Sequence, residues 1–186
     1  MKKLILCVAL IAAIAVPAAF SQLRFELGAN VPVAAMLLSG DAFDQSSNPI
    51  VTSMPLVGDN FFFVVPNSSF LLQADFGLLK IGAGVKIQSL MLMAYAAYPN
   101  AQVEIALGPL SIDASLGGYY MGYFGIGEGF GVSTMDYLIP EASVWLALGK
   151  KKAFRIGAGA IGLLPTSFDL SDVPLIAYGG MKIVLE

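Results

Sequence analysis

From Leu23 onward the apolar residues fall on every second position. In the run 23–31 the odd positions are Leu23, Phe25, Leu27, Ala29 and Val31, and the even ones are Arg24, Glu26, Gly28 and Asn30. A period of two is the mark of a strand, whose successive side chains stand on opposite sheet faces. The same alternation predicts eight strands, at 23–33, 70–78, 80–88, 101–108, 110–120, 141–148, 154–161 and 175–185. One face of each is dominated by large apolar residues, as with Val103, Ile105 and Leu107 in the fourth. The other is mostly Gly, Ser, Gln, Asn and Ala. The sixth fits least well, because Trp145 falls among the small and polar positions.

The connections between these strands alternate in length. Leu79-Lys80, Gly108-Pro109 and Gly149 through Lys152 read as tight turns, whereas 34–69, 89–100, 121–140 and 162–174 read as long loops rich in irregular-backbone residues. Short turns on one rim and long loops on the other are the layout of an outer-membrane barrel. An even strand number puts both termini on the short-turn side. The expected fold is therefore all-β: a closed antiparallel up-and-down eight-stranded transmembrane β-barrel.

Charge placement settles which face would be wet. Arg24, Glu26, Asp75, Lys86, Glu104, Asp113, Glu141, Arg155 and Lys182 all lie on the minority face, and the majority face carries no charge. A charge facing lipid costs roughly 2–4 kcal/mol near the midplane, so nine would cost on the order of 20–30 kcal/mol, more than a domain's whole stability. A soluble barrel would carry more Lys and Glu outside than these small minority faces offer. The nine residues, five acids and four bases, are thus expected to form an ion-pair network plugging the lumen.

Composition agrees. Of 186 residues 57% are hydrophobic and 12% charged, and the mean hydropathy is +0.77, too apolar for an ordinary soluble domain. Lys2-Lys3, the apolar stretch 4–16 and Ala19-Phe20-Ser21 follow signal-peptide grammar, with cleavage expected before Gln22. The domains are then 1–21, a signal peptide, and 22–186, the barrel. An uncleaved inner-membrane anchor fits less well, since Pro17 ends the run short of about 20 residues. A lipoprotein reading fails because Cys7 lies inside the apolar core. Cleavage would remove that only cysteine and two of the ten bases, leaving eight bases against 13 acids and a net charge of −5. No clustered basic surface points to nucleic acid. Lys80 and Lys150 to Lys152 sit in short turns. Asp41, Asp44, Asp59, Glu128, Asp136, Asp169 and Asp172 sit in the long loops, making one rim basic and the other acidic. Phe70, Tyr119, Tyr120, Tyr123, Phe124, Tyr137 and Phe154 lie near strand ends, as interfacial girdles do.

The C-terminal run 178–185 resembles the targeting signal of bacterial outer-membrane barrels, with Gly180 followed by the lipid-facing Ile183 and Leu185. It departs in lacking a terminal Phe and in adding Glu186. With the signal peptide, strand count and rim asymmetry, residues 23–186 resemble in architecture the small OmpA transmembrane-domain, OmpX and OmpW class. No peptidoglycan-binding domain is expected after the barrel, which argues against a full OmpA. The resemblance implies location in the bacterial outer membrane, contact with its lipid and use of the barrel-assembly machinery.

Other chemistry is weakly supported. Gly157-Ala158-Gly159-Ala160-Ile161-Gly162 fits a dinucleotide fingerprint but runs along a strand instead of opening a helix. The glycine-rich stretch 125–131 lacks the Lys-Ser/Thr of a phosphate loop. Without His, and without Cys after cleavage, no ordinary Ser-His or Cys-His nucleophile or zinc site can be built. The lumen carboxylates lack the cleft a glycosidase needs. No enzymatic activity, cofactor or metal is expected. The first expected role is surface interaction, through long acidic loops that meet extracellular or host partners. The alternative, implied by the OmpW likeness, is a passive channel for small hydrophobic compounds. Phe61, Phe62, Phe63, Val64 and Val65 would form its apolar mouth, unless the flanking strands continue through them.

Overall fold

The computed structural model describes residues 21–39, 50–55, 63–90, 94–125, 129–149, 151–167 and 172–186. Among them every regular element is a strand: β1 (Ser21–Ser39), β2 (Ile50–Pro55), β3 (Val65–Asp75), β4 (Leu79–Leu90), β5 (Ala94–Leu107), β6 (Leu110–Gly125), β7 (Phe130–Leu148), β8 (Phe154–Gly162), β9 (Leu164–Pro165) and β10 (Asp172–Leu185). Each pairs antiparallel with its neighbour, and β10 pairs with β1 from Phe25↔Leu185 to Ser39↔Asp172. That last pairing closes the sheet into a barrel. β2 and β3 share one lane beside β1, since Ala34–Ser39 pairs with β2 and Ser21–Asn30 with β3. β9 likewise continues the lane of β8 along β7. Eight lanes therefore form the wall.

The exterior is lipid-like. Leu23, Leu27, Phe70, Leu72, Ile81, Val103, Ile105, Ile112, Val144, Ile156 and Ile183 are all exposed, whereas Arg24, Glu26, Lys86, Glu104, Asp113, Arg155 and Lys182 are buried. This inversion of a soluble protein's order is that of a barrel standing in hydrocarbon. Trp145, the misfit of the sixth strand, is only 4% exposed. It points into the bore, so the alternation it interrupts is preserved in space.

Strand lengths depart from the sequence expectation. β5, β6 and β7 run for 14, 16 and 19 residues, against about 9–11 needed to span a bilayer. Much of 34–69, 89–100, 121–140 and 162–174, expected as long loops, is strand. Pro and polar residues there interrupt alternation without stopping pairing. At Val33 the register slips by one between Pro32↔Tyr178 and Ala34↔Ala177, a bulge that accommodates a proline lacking its N–H. In β6, Gly118 (φ 100°) and Tyr119 (φ 68°) take left-handed backbone where the register against both neighbouring strands shifts. Tyr119 and Tyr120 are both exposed there, edge to face at 4.8 Å.

The tight turns lie with both termini at one end. Gly108 supplies the positive φ (70°) of a two-residue hairpin. The first turn falls at 76–78 instead of at Leu79-Lys80. Asp75 Oδ1 accepts the Gly77 N–H at 2.7 Å, the Phe76 N–H reaches Leu79 O, and Asp75 pairs with Lys80. A side-chain-capped turn ends β3 before the apolar Phe76 and Leu78 can extend it.

The facing can be checked directly. Val103→Arg is expected to cost about 2–4 kcal/mol and to abolish the heat-dependent gel shift of the assembled barrel. Gln102→Arg, whose side chain sits beside Glu26, is expected to assemble. Equal assembly of the two would invert the assigned faces.

Candidate functional site

Alternation delivers one inward side chain every second residue, and closure faces these chains across a narrow bore. The largest ion-pair network begins at Arg24. Its guanidinium lies 2.5 Å from both Glu26 and Glu104 and 3.1 Å from Glu186, and donates to Gln73 Oε1 at 2.7 Å. Glu104 also accepts Arg155 at 3.0 Å. Lys182 reaches Glu26 at 3.2 Å and Asp113 at 2.6 Å, and its ammonium sits 4.7 Å from the centre of the Trp145 ring. Farther from the termini, Lys86 donates to Glu141, which also accepts the Tyr178 hydroxyl. Asp75 stays at the turn rim, 3.6 Å from Lys80.

The principal pairs cross the bore. Arg24 and Glu104 stand on lanes three apart, as do Arg155 and Glu104, Lys182 and Asp113, and Lys86 and Glu141. These contacts act as struts between facing walls. Between the two groups lies a cavity of about 20 Å³, lined among others by Asn30, Asn67, Ser115 and Trp145. That is room for about one water. Glu26, Glu104 and Asp113 could supply three ligand atoms within 4.8 Å of one another, but Arg24, Arg155 and Lys182 already occupy that space with protein cations.

Two ionic members were missed by sequence reasoning. Glu186 accepts both Arg24 and Lys80, the latter at 2.6 Å. Strand parity could have found both: 182, 184 and 186 share the inward face, as do 86, 84, 82 and 80. Neutral partners also enter the bore. Tyr98 donates to Gln88, Gln102 to Glu26, Trp145 to Ser143 and Arg155 to Ser111. No charge pattern marks these.

Of the residues expected at the C-terminal signal, Ile183 and Leu185 are exposed on the outer face. Gly180 faces the bore, where a Cβ would come within 2.6 Å of Asn30 Oδ1. Of the expected apolar mouth, Phe61 and Phe62 lie outside the described residues. Phe63 and Val64 are half-buried, and Val65 is buried at the head of β3. Of the acids expected on the far rim, Asp136 is exposed in β7, and Asp172 opens β10. Asp41, Asp44, Asp59, Glu128 and Asp169 lie outside the described residues, as do residues 1–20 of the expected signal peptide.

Fold and lumen together define a small eight-stranded transmembrane β-barrel with an ionic interior. No family model and no curated protein matches the chain. Among solved structures it is similar to Neisserial surface protein A, at 11% identity over 88% of this chain and 97% of that one, with a TM-score of 0.44. It is also similar to Ail, the attachment invasion locus protein of Yersinia pestis, at 9% identity over 86% and 98%, with a TM-score of 0.33.

Breaking one strut should be worse than removing both partners. Arg24→Leu takes the shared cation from Glu26, Glu104 and Glu186, leaving each with one other base, and is expected to lower stability in a urea titration by about 3–5 kcal/mol. Arg24→Leu with Glu104→Leu should recover part of that loss. A double variant no more stable than the single one would show that the pair is not coupled.

Proposed function

We propose that this protein is an exported barrel of the bacterial outer membrane that does not conduct. Its role is to present a surface on the long-strand side to extracellular or host partners. The observation that carries the reading is the set of ion pairs bracing opposite walls around a cavity of only about 20 Å³. A pore needs a continuous water path, and charged groups held by partners on facing strands do not step aside without leaving an ion unpaired. The alternative of a passive channel for small apolar compounds finds no apolar route through this bore.

The surface role is supported by strand length. Six residues beyond a bilayer-spanning segment carry a strand about 20 Å farther, and β6 and β7 have that surplus. Phe130 and Val132 are among the most exposed apolar residues there, at 73% and 64%, beside exposed Tyr123 and Phe124. The Tyr95 ring stacks on Phe124 at 5.1 Å. Apolar surface standing clear of lipid usually serves binding. The outer-membrane location draws on the apolar exterior, the leader grammar and the C-terminal triad Gly180, Ile183 and Leu185, which we assign to recognition by the assembly machinery.

Two measurements test this. In planar bilayers the purified barrel should give no steady ohmic conductance; a stable open level would overturn the plugged lumen. On intact cells, Ser133→Cys in exposed β7 should react with a membrane-impermeant maleimide, while Lys151→Cys in the β7–β8 turn should react only after the envelope is opened. The reverse labelling would turn the barrel over.

A further inference from the structure

The bore is closed at mid-height, but its short-turn mouth is open. There the wall surrounds a vestibule of about 580 Å³ whose charged lining is Lys80, Lys151, Lys152 and Arg155 against Glu104 and Glu186. Four bases against two acids leave two positive charges. Both acids are already engaged, Glu186 by Lys80 at 2.6 Å and Glu104 by Arg155 at 3.0 Å. Lys151 and Lys152 are exposed at the rim and have no carboxylate partner among the described residues. The Lys152 ammonium donates to Gly108 O at 2.9 Å, which leaves two of its three donors free among the described residues.

Arg155 forms the floor of the vestibule and is 7% exposed. One of its terminal nitrogens serves Ser111 and Glu104. Its Nε–H is buried with no acceptor, an unfavourable state for a guanidinium donor. The mouth thus combines excess positive charge with volume for a multi-atom guest, above a buried guanidinium that is not fully paired.

We propose that the vestibule binds a phosphate group, held by Lys151 and Lys152 at the rim and Arg155 at the floor. A phosphate offers several strong acceptor oxygens and up to two negative charges near pH 7, matching the lining. Ammonium donors of the β7–β8 turn and the guanidinium at the start of β8 line one vestibule, and a tetrahedral oxyanion offers acceptors in more directions than a planar carboxylate. The group can come from a phospholipid headgroup of the adjoining leaflet or from a soluble phosphate ester. The site does not rest on the surface role proposed above, and failure of that role leaves it intact.

The test is titration of inorganic phosphate onto the folded barrel in neutral maltoside micelles, followed by calorimetry and phosphorus NMR. One site is expected, with a Kd on the order of 1 mM or tighter, weakening as salt is added. Lys151→Gln with Lys152→Gln should bind about tenfold more weakly while keeping the native gel shift. Arg155→Lys, which keeps the charge opposite Glu104 but removes the Nε–H, should also bind more weakly. Absence of binding by the native barrel, or equal affinity in the double lysine variant, overturns the proposal. Repeating the titration in phosphatidylcholine nanodiscs with and without phosphatidylglycerol assigns the source. Competition by the anionic lipid points to a headgroup, and binding retained in both points to a soluble ester. Either result supports the site.

Discussion

A charge turned toward hydrocarbon costs roughly 2–4 kcal/mol, so alternation along a membrane strand leaves its ions one direction, into the bore. Inside, they meet a second constraint. The bore buries these groups away from bulk solvent, and an unpaired ion there is more costly than a paired one. Arg24, Glu104, Arg155, Lys182 and Asp113 satisfy both conditions at once by reaching across to facing strands. The pairing that makes burial tolerable also spans the bore.

The same crossing links distant parts of the chain. Lys182 near the C-terminus holds Glu26 near the start of β1, and Glu186 holds both Arg24 and Lys80. These contacts straddle the seam where β10 meets β1 and reinforce the backbone pairing that closes the cylinder. Closure and ion pairing are therefore coupled. Strands that failed to close would part Lys182 from Glu26 and Asp113, and Arg24 from Glu186.

The wall treats its two ends differently. At the terminal end, compact turns such as Gly108-Pro109 keep the rim short and leave an open, basic vestibule. At the other end β5, β6 and β7 overrun the membrane, and the kink at Gly118-Tyr119 lets β6 change register instead of stopping. One rim is thus formed by tight turns and the other by continued sheet. Backbone hydrogen bonds persist there because β6 and β7 remain each other's partners beyond the lipid.

Much of this was legible from residues 23 to 185 read two at a time. Alternation is local, and it assigned Arg24, Glu26, Lys86, Glu104, Asp113, Arg155 and Lys182 to one face because neighbouring side chains must point opposite ways. It misjudged the strand ends, since Pro99 and Pro140 mark irregularity in a sequence yet sit within paired strands. It also set aside Glu186 and Lys80, although the same parity turns both inward. What no local rule could supply was which acid meets which base, that Trp145 would lie against Lys182, or that a cavity of about 20 Å³ would sit among the ion pairs and one of about 580 Å³ at the short-turn mouth. Those outcomes depend on how eight lanes close and how far apart facing walls stand. The sequence by itself determined the facing of the strands; only closure of the cylinder decided the partners, because distance across the bore is a property of the whole ring.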